Sequence, residues 1–130
     1  MGGCVDLLGP RVLGKAYLPL LERGTRKTIV NVRSHAGSIG RCIDARNAVY
    51  SLSKLAVNML SHKQAIERPD LIVISLCPGH AQTGAYIKTG RANPPLTVEE
   101  SVAGQLRVVE ALTREHSGRF WQYDEKELLW

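Results

Sequence analysis

A tyrosine and a lysine, Tyr50 and Lys54, stand four residues apart in the stretch AVYSLSKLAVNML. On a helix that spacing sets both side chains on one face. A free phenol ionises near pH 10, too high for efficient proton transfer at neutral pH, and an ammonium a few ångströms away favours the phenolate. Such a pair also describes any amphipathic helix surface, so its company decides what it is. Ser34 closes a β-branched run, TIVNV followed by Arg33, and its hydroxyl could hold a substrate oxygen against Tyr50. Together the three groups would protonate a carbonyl as hydride arrives, or deprotonate an alcohol as hydride leaves.

Elements that would position these residues can be read on either side of them. Residues 7–22 place Val12, Leu13, Ala16, Tyr17, Leu20 and Leu21 on a helical face, with Pro10 in the first turn and Pro19 kinking the last. TIVNV, residues 28–32, predicts a short strand buried on both faces. A polar, glycine-rich connection leads to a second helix over 48–67, with Leu52, Leu55, Ala56, Met59 and Leu60 as its inner stripe and Pro69 beyond its end. LIVISLC, residues 71–77, predicts a second strand, bounded by Pro69-Asp70 and Pro78-Gly79. A third helix opens on a capping box from Thr97 to Glu100 and turns Val98, Val102, Leu106, Val109 and Leu112 inward. RFWQY, residues 119–123, predicts the closing strand. Helices alternating with strands imply an α/β fold, right-handed crossovers and a parallel sheet, with ligands bound beyond the carboxyl ends of the strands.

Composition narrows the function classes. With 130 residues, 44% of them hydrophobic and 22% charged, the chain can bury a single core as one domain, residues 1–130. Its longest apolar run is too short to cross a bilayer, and no basic-then-apolar leader is read at the start, so no membrane partner is expected. Three scattered cysteines, Cys4, Cys42 and Cys77, point to reduced thiols in a cytoplasmic setting. The net charge of +5 would suit an anionic partner, but with 5% aromatics and no basic helix face no nucleic-acid partner is expected. Cys77 and His80 have the spacing of metal ligands without a second pair, so no metal site is expected.

In order along the chain, TIVNVRSHAGSIG, YSLSK, CPGHAQTGA, the helix VDLLGPRVLGKAYLPLLERG and the tail SGRFWQYDEKELLW resemble the short-chain dehydrogenase/reductase (SDR) family. The tail resembles its fungal and sniffer-like carbonyl reductase branch. The resemblance implies an NAD(P)-dependent oxidoreductase with Tyr50 as the general acid/base. Lys54 would support that phenol and hold the nicotinamide ribose, and Ser34 would orient the carbonyl, with Ser38 as runner-up. Gly37, three residues after Ser34, favours Ser34. Pro78 and Gly79 would pass beneath the nicotinamide ring, Thr83 would bond its carboxamide or a phosphate, and residues 84–95 would form the substrate lid. NADP is the implied cofactor, with NAD the alternative. The implied substrate is a small carbonyl or alcohol, and the implied assembly of a complete enzyme is a homodimer.

Two departures from the family pattern shape the expectation. Asp6 stands where the family carries an asparagine, and a carboxylate cannot donate the hydrogen bonds an amide can. No glycine-rich G-x-x-x-G-x-G turn follows any strand. The chain is therefore read as the second half of a doubly wound Rossmann-like parallel sheet, three strands and three helices, with the pyrophosphate-binding N-terminal half missing. TIVNV would be left as an exposed edge, and the chain alone is expected to be inactive. Other readings are a non-catalytic scaffold that dimerises through its first two helices and, further off, a basic nucleic-acid-binding fragment.

Overall fold

The computed structural model describes residues 2–42, 47–83 and 94–130, with the side chains of residues 2–8 outside that description. Helix α1 (Gly2–Arg23) precedes strand β1 (Thr28–Val32), and a 3-10 turn (His35–Gly37) leads on to helix α2 (Ala48–Glu67). Strand β2 (Ile72–Cys77), helix α3 (Val98–Ala111), a second 3-10 turn (Arg114–His116) and the short strands β3 (Phe120–Gln122) and β4 (Glu127–Leu128) complete the chain. The sheet order is β1-β2-β3-β4, with β1, β2 and β3 parallel and β4 antiparallel. The predicted three-stranded parallel sheet thus gains a fourth, antiparallel strand. Tyr123–Lys126 turns the chain back, with Glu125 at φ 66 and Gln122 N–H bonded to the Lys126 carbonyl at 2.8 Å.

β2 is the core strand, as its unbroken apolar run requires. Val73, Ile74, Leu76 and Cys77 are all at most 1% exposed. Side chains alternate across the sheet, so β1 and β2 sort cleanly. Asn31, in register with Ser75, faces α2 and donates to Ser61 Oγ at 2.9 Å. Ile74 and Leu76, on the opposite face, pack with Val108 of α3. α2 and α3 therefore cover opposite faces, while the chain steps the same way from β1 to β2 to β3. Two parallel crossovers that step alike over opposite faces have opposite hands, so one departs from the predicted right-handed pair. α1 lies beside α2, where Gly14 lets Gln64 approach and Arg68 pairs with Glu22 at 3.0 Å.

Local signals explain the ends of the elements better than their faces. Thr97 caps α3 through a reciprocal box, its Oγ1 accepting from Glu100 N–H at 3.1 Å while Glu100 accepts from Thr97 N–H at 2.9 Å. α1 begins earlier than its periodicity predicts, so Pro10 lies inside it rather than in its first turn. The predicted inner stripes need correction. Leu52 and Met59 of α2 are 63% and 54% exposed, and the buried positions are Val57, Asn58 and Ser61. In α3, Val98, Val102 and Leu106 face outward while Ser101, Gly104 and Val108 are buried. On α1, Val12, Leu13, Tyr17 and Leu20 are each more than half exposed. Small and polar residues won the inner positions because the backbones approach closely. A Cβ on Gly104 would stand 2.5 Å from the Tyr123 carbonyl oxygen. As predicted, β1 is an edge: among the described residues it pairs with β2 alone.

Candidate active site

The carboxyl ends of β1 and β2 open into a cleft of about 1250 Å³, walled on the remaining sides by the start of α2 and by α3. Ser34, Tyr50, Pro78, Gly79 and Thr83 all line it, as does Ser38. Lys54 lies one turn behind Tyr50, with Nζ 5.2 Å from the centre of the phenol ring. That is within the reach of a cation–π contact, which holds the ammonium against the ring. Tyr50 itself is 46% exposed, so its ring is open to a ligand in the cleft. Thr83 lies on the exposed rim, but the following residues 84–93, where most of the predicted lid falls, lie outside the described residues. The side chain of Asp6 lies outside them too.

The two candidate serines differ in what their hydroxyls do. Ser34 caps the 3-10 turn, its Oγ accepting from Ala36 N–H at 3.2 Å, which leaves its own proton for another acceptor. Ser38 is 3% exposed and donates to the Leu129 carbonyl at 2.6 Å. Its hydroxyl ties the loop to the C-terminal tail.

Two glycines bring the walls together. A Cβ on Gly37 would lie 2.6 Å from the Lys54 carbonyl carbon and 2.8 Å from Leu55 N, so only glycine lets the serine turn lie against α2 at the level of Lys54. Asn58, 1% exposed, fastens that contact by donating to the Gly37 carbonyl at 3.1 Å. Gly79 has φ +78, the left-handed region that favours glycine, and a Cβ there would meet the Tyr123 ring at 2.6 Å. Ser101 secures the same turn, its hydroxyl donating to the Pro78 carbonyl at 2.6 Å. Ser101, Asn58 and Tyr123 escaped the sequence reading, because their roles are contacts between distant segments.

Cleft electrostatics are positive among the described residues. His35, Arg41 and His80 line the cleft with the buried Arg33, and no described lining residue is acidic. His35 Nδ1 lies 3.5 Å from Cys77 Sγ. Burial, then the charges of Arg41 and His80, push His35 below the usual imidazole range, so it is neutral at pH 7. Burial holds the Cys77 thiol up, so it stays protonated. Among the described residues no group of three or more potential metal ligands occurs, and no helix is long and apolar enough to cross a membrane.

Both the sequence and the fold match known proteins. The sequence model of the family described as short chain dehydrogenase matches residues 4–93. The chain is 34% identical over 128 residues to C-signal of Myxococcus xanthus, covering 97% of this chain and 75% of that protein. Among solved structures, the carbonyl reductase Sniffer of D. melanogaster superposes with a TM-score of 0.87 at 27% identity, over 98% of this chain and 55% of that one. The NADPH-bound carbonyl reductase from chicken fatty liver superposes with a TM-score of 0.84 at 28% identity, over 96% of this chain and 54% of that one. The chain spans about half the length of most of the curated relatives it matches.

Proposed function

The chain belongs to the short-chain dehydrogenase family, and from that premise we propose that it is the catalytic part of an NAD(P)-dependent oxidoreductase acting on a small carbonyl or alcohol. What carries the reading is one cleft, at the carboxyl ends of two parallel strands, lined by Ser34 and Tyr50 with Lys54 against the phenol. NADP is favoured over NAD because the chicken carbonyl reductase binds NADPH. The residues present suit the nicotinamide end of such a cofactor. Pro78 and the left-handed Gly79 put bare backbone on the cleft wall, and Thr83 adds a hydroxyl at the rim. The described lining offers no carboxylate to repel the cofactor's phosphates.

When bound, a reduced nicotinamide supplies hydride. Ser34 donates its hydroxyl proton to the carbonyl oxygen and holds it toward Tyr50. Tyr50 gives its phenolic proton to that oxygen as negative charge develops there, and takes it back from an alcohol in the reverse direction. Lys54 stabilises the phenolate left behind, since its ammonium already lies against the ring. Gly37 and Asn58 keep the serine turn and the lysine turn in register.

A chimera tests this. The part of the Drosophila carbonyl reductase that this chain leaves uncovered is joined to Met1, and NADPH-dependent reduction of a simple ketone is followed. Tyr50→Phe should lower kcat by about 10²–10⁴-fold, the usual range for a general acid, while leaving cofactor affinity almost unchanged. Near wild-type turnover would end the assignment.

A second reading is a non-catalytic scaffold joined through α1 and α2. It is favoured by the exposure of Val12, Leu13, Tyr17 and Leu20, each above half. A dimer whose chimera neither binds NADPH nor reduces a ketone would select it.

A further inference from the structure

We propose that the cleft takes carbonyl substrates bearing a carboxylate, docked on the Arg41 guanidinium with His80 beside it. The inference rests on the oxidoreductase reading above and adds the class of substrate.

Arg41 bonds a neutral acceptor, as Arg26 and Arg114 do, but of these three only Arg41 lines the cleft. Arg68 pairs with Asp70 and Glu22, Arg107 with Glu125, and Arg119 with Glu127. Arg41, also exposed, makes a long hydrogen bond of 3.4 Å to the neutral amide of Gln122. Its charge bears on both His35, which lines the cleft, and the buried Cys77. The nearby carboxylate of Asp124 is paired with Lys126 at 2.7 Å.

The cation is also held in place. Arg41 belongs to the same loop as Ser34, and that loop is tied to the C-terminal tail at two points: Ser38 Oγ to the Leu129 carbonyl, and Gly40 N–H to the Trp130 carbonyl at 2.9 Å. Arg41 therefore gives a positive wall, with the imidazoles of His35 and His80 beside it, to the cavity that Ser34 and Tyr50 line. A guanidinium offers two parallel N–H donors, the geometry that a planar carboxylate accepts. A keto acid would thus meet a hydroxyl and a phenol at its ketone and a fork of donors at its acid.

The test compares phenylglyoxylate with its methyl ester, two ketones that differ in one charge. Binding to the 130-residue chain is followed by amide NMR, independently of turnover. The acid should bind tenfold or more tightly than the ester, the order expected of a charge-assisted pair. The shifts should gather at Gly40, Arg41 and His80. Arg41→Gln should bring the two affinities together, whereas Tyr50→Phe should keep the preference for the acid. Equal affinities in the wild type, no saturable shift with the acid, or a preference that survives Arg41→Gln would overturn the proposal. Displacement of the acid by adenosine 2′,5′-bisphosphate would overturn it too, by giving the wall to the cofactor. Since these readouts involve no reduction, they fail separately from the Tyr50 assignment, which the chimera decides.

Discussion

Replacing Gly37 with alanine adds one methyl group where the serine turn lies against α2. The new Cβ would stand 2.6 Å from the Lys54 carbonyl carbon, 2.8 Å from Leu55 N and 2.9 Å from Lys54 Cβ. Carbon atoms prefer separations of about 3.5–4 Å, so helix and turn must part by roughly 1 Å. Most of those atoms are backbone, and a side-chain rotation cannot relieve the clash. Overpacking of this kind costs about 1–3 kcal/mol. Stretching the Asn58 bond to the Gly37 carbonyl, now 3.1 Å, adds up to ~1 kcal/mol. With a urea slope of about 1–3 kcal/mol per molar, the unfolding midpoint should fall by roughly 1 M. Gly9→Ala in α1 is the control: nothing beyond its chain neighbours lies within 4 Å of its Cβ, so the methyl should cost less than at Gly37. In the chimera, Gly37→Ala should also lower kcat by about 10²-fold, since a 1 Å misplacement of catalytic groups costs about that much. A stability within about 0.5 kcal/mol of wild type would refute the close contact as a constraint.

Gly79→Ala combines a left-handed backbone with a 2.6 Å approach to the Tyr123 ring, and should destabilise by at least the ~1–2 kcal/mol that such a φ costs a residue with a Cβ. Urea unfolding reads it, and a neutral result would mean that Tyr123 is not held against the turn. The Arg68 side chain, bonding the Asp70 carboxylate, lowers the latter's pKa to about 2, below the ~3.9 of an unfolded chain. Its contribution is therefore complete above the unfolded value and lost as pH falls toward the folded one. The stability gap between wild type and Asp70→Asn should shrink between about pH 4 and pH 2, and a gap undiminished at pH 2 would contradict the pairing. NADPH should bind the chain as given only in the millimolar range, because charge-assisted pyrophosphate bonds worth roughly 1.5–3 kcal/mol each have no glycine-rich turn to make them. Calorimetry showing micromolar stoichiometric binding would refute this.

Proximity was legible in the sequence where spacing alone brings groups together. Tyr50 and Lys54 lie one helical turn apart, so their contact needs no tertiary information. Ser34 and Pro78-Gly79 end parallel strands, and such ends meet on one side of a sheet. The strand β2, the bounds of α2 and the capping box of α3 were legible for the same local reason. Contacts that depend on how segments cross were not. Nothing local says that Asn58 must find the Gly37 carbonyl, that Ser101 must find Pro78, or that Arg41 joins the wall of the cleft. The fourth strand escaped because a two-residue element has no period to read.

The misread helix faces have a different cause. Hydrophobic periodicity marks residues suited to burial, and it says nothing of how much sheet is available to cover them. Here β1 and β2 have five and six residues, but β3 and β4 only three and two. At about 4.8 Å per strand, four strands make a sheet roughly 19 Å wide at most. Neighbouring helices pack 8–10 Å apart, so α1 and α2 side by side fill one face and still overhang the β1 edge. The apolar row of α1, from Leu13 through Tyr17 to Leu20, then borders a groove of about 700 Å³ that runs along β1 beside Ile29 and Val30. An edge strand with such a groove beside it presents unpaired backbone next to apolar surface, which is the combination that drives chains to associate. The isolated chain should accordingly sediment as more than a monomer at micromolar concentration. Val32→Lys, a charge on the exposed end of that strand, should shift it toward monomer, since Val32 is already 55% exposed and the change costs the core nothing. A monomeric wild type under the same conditions would refute the argument that this edge and its groove drive association.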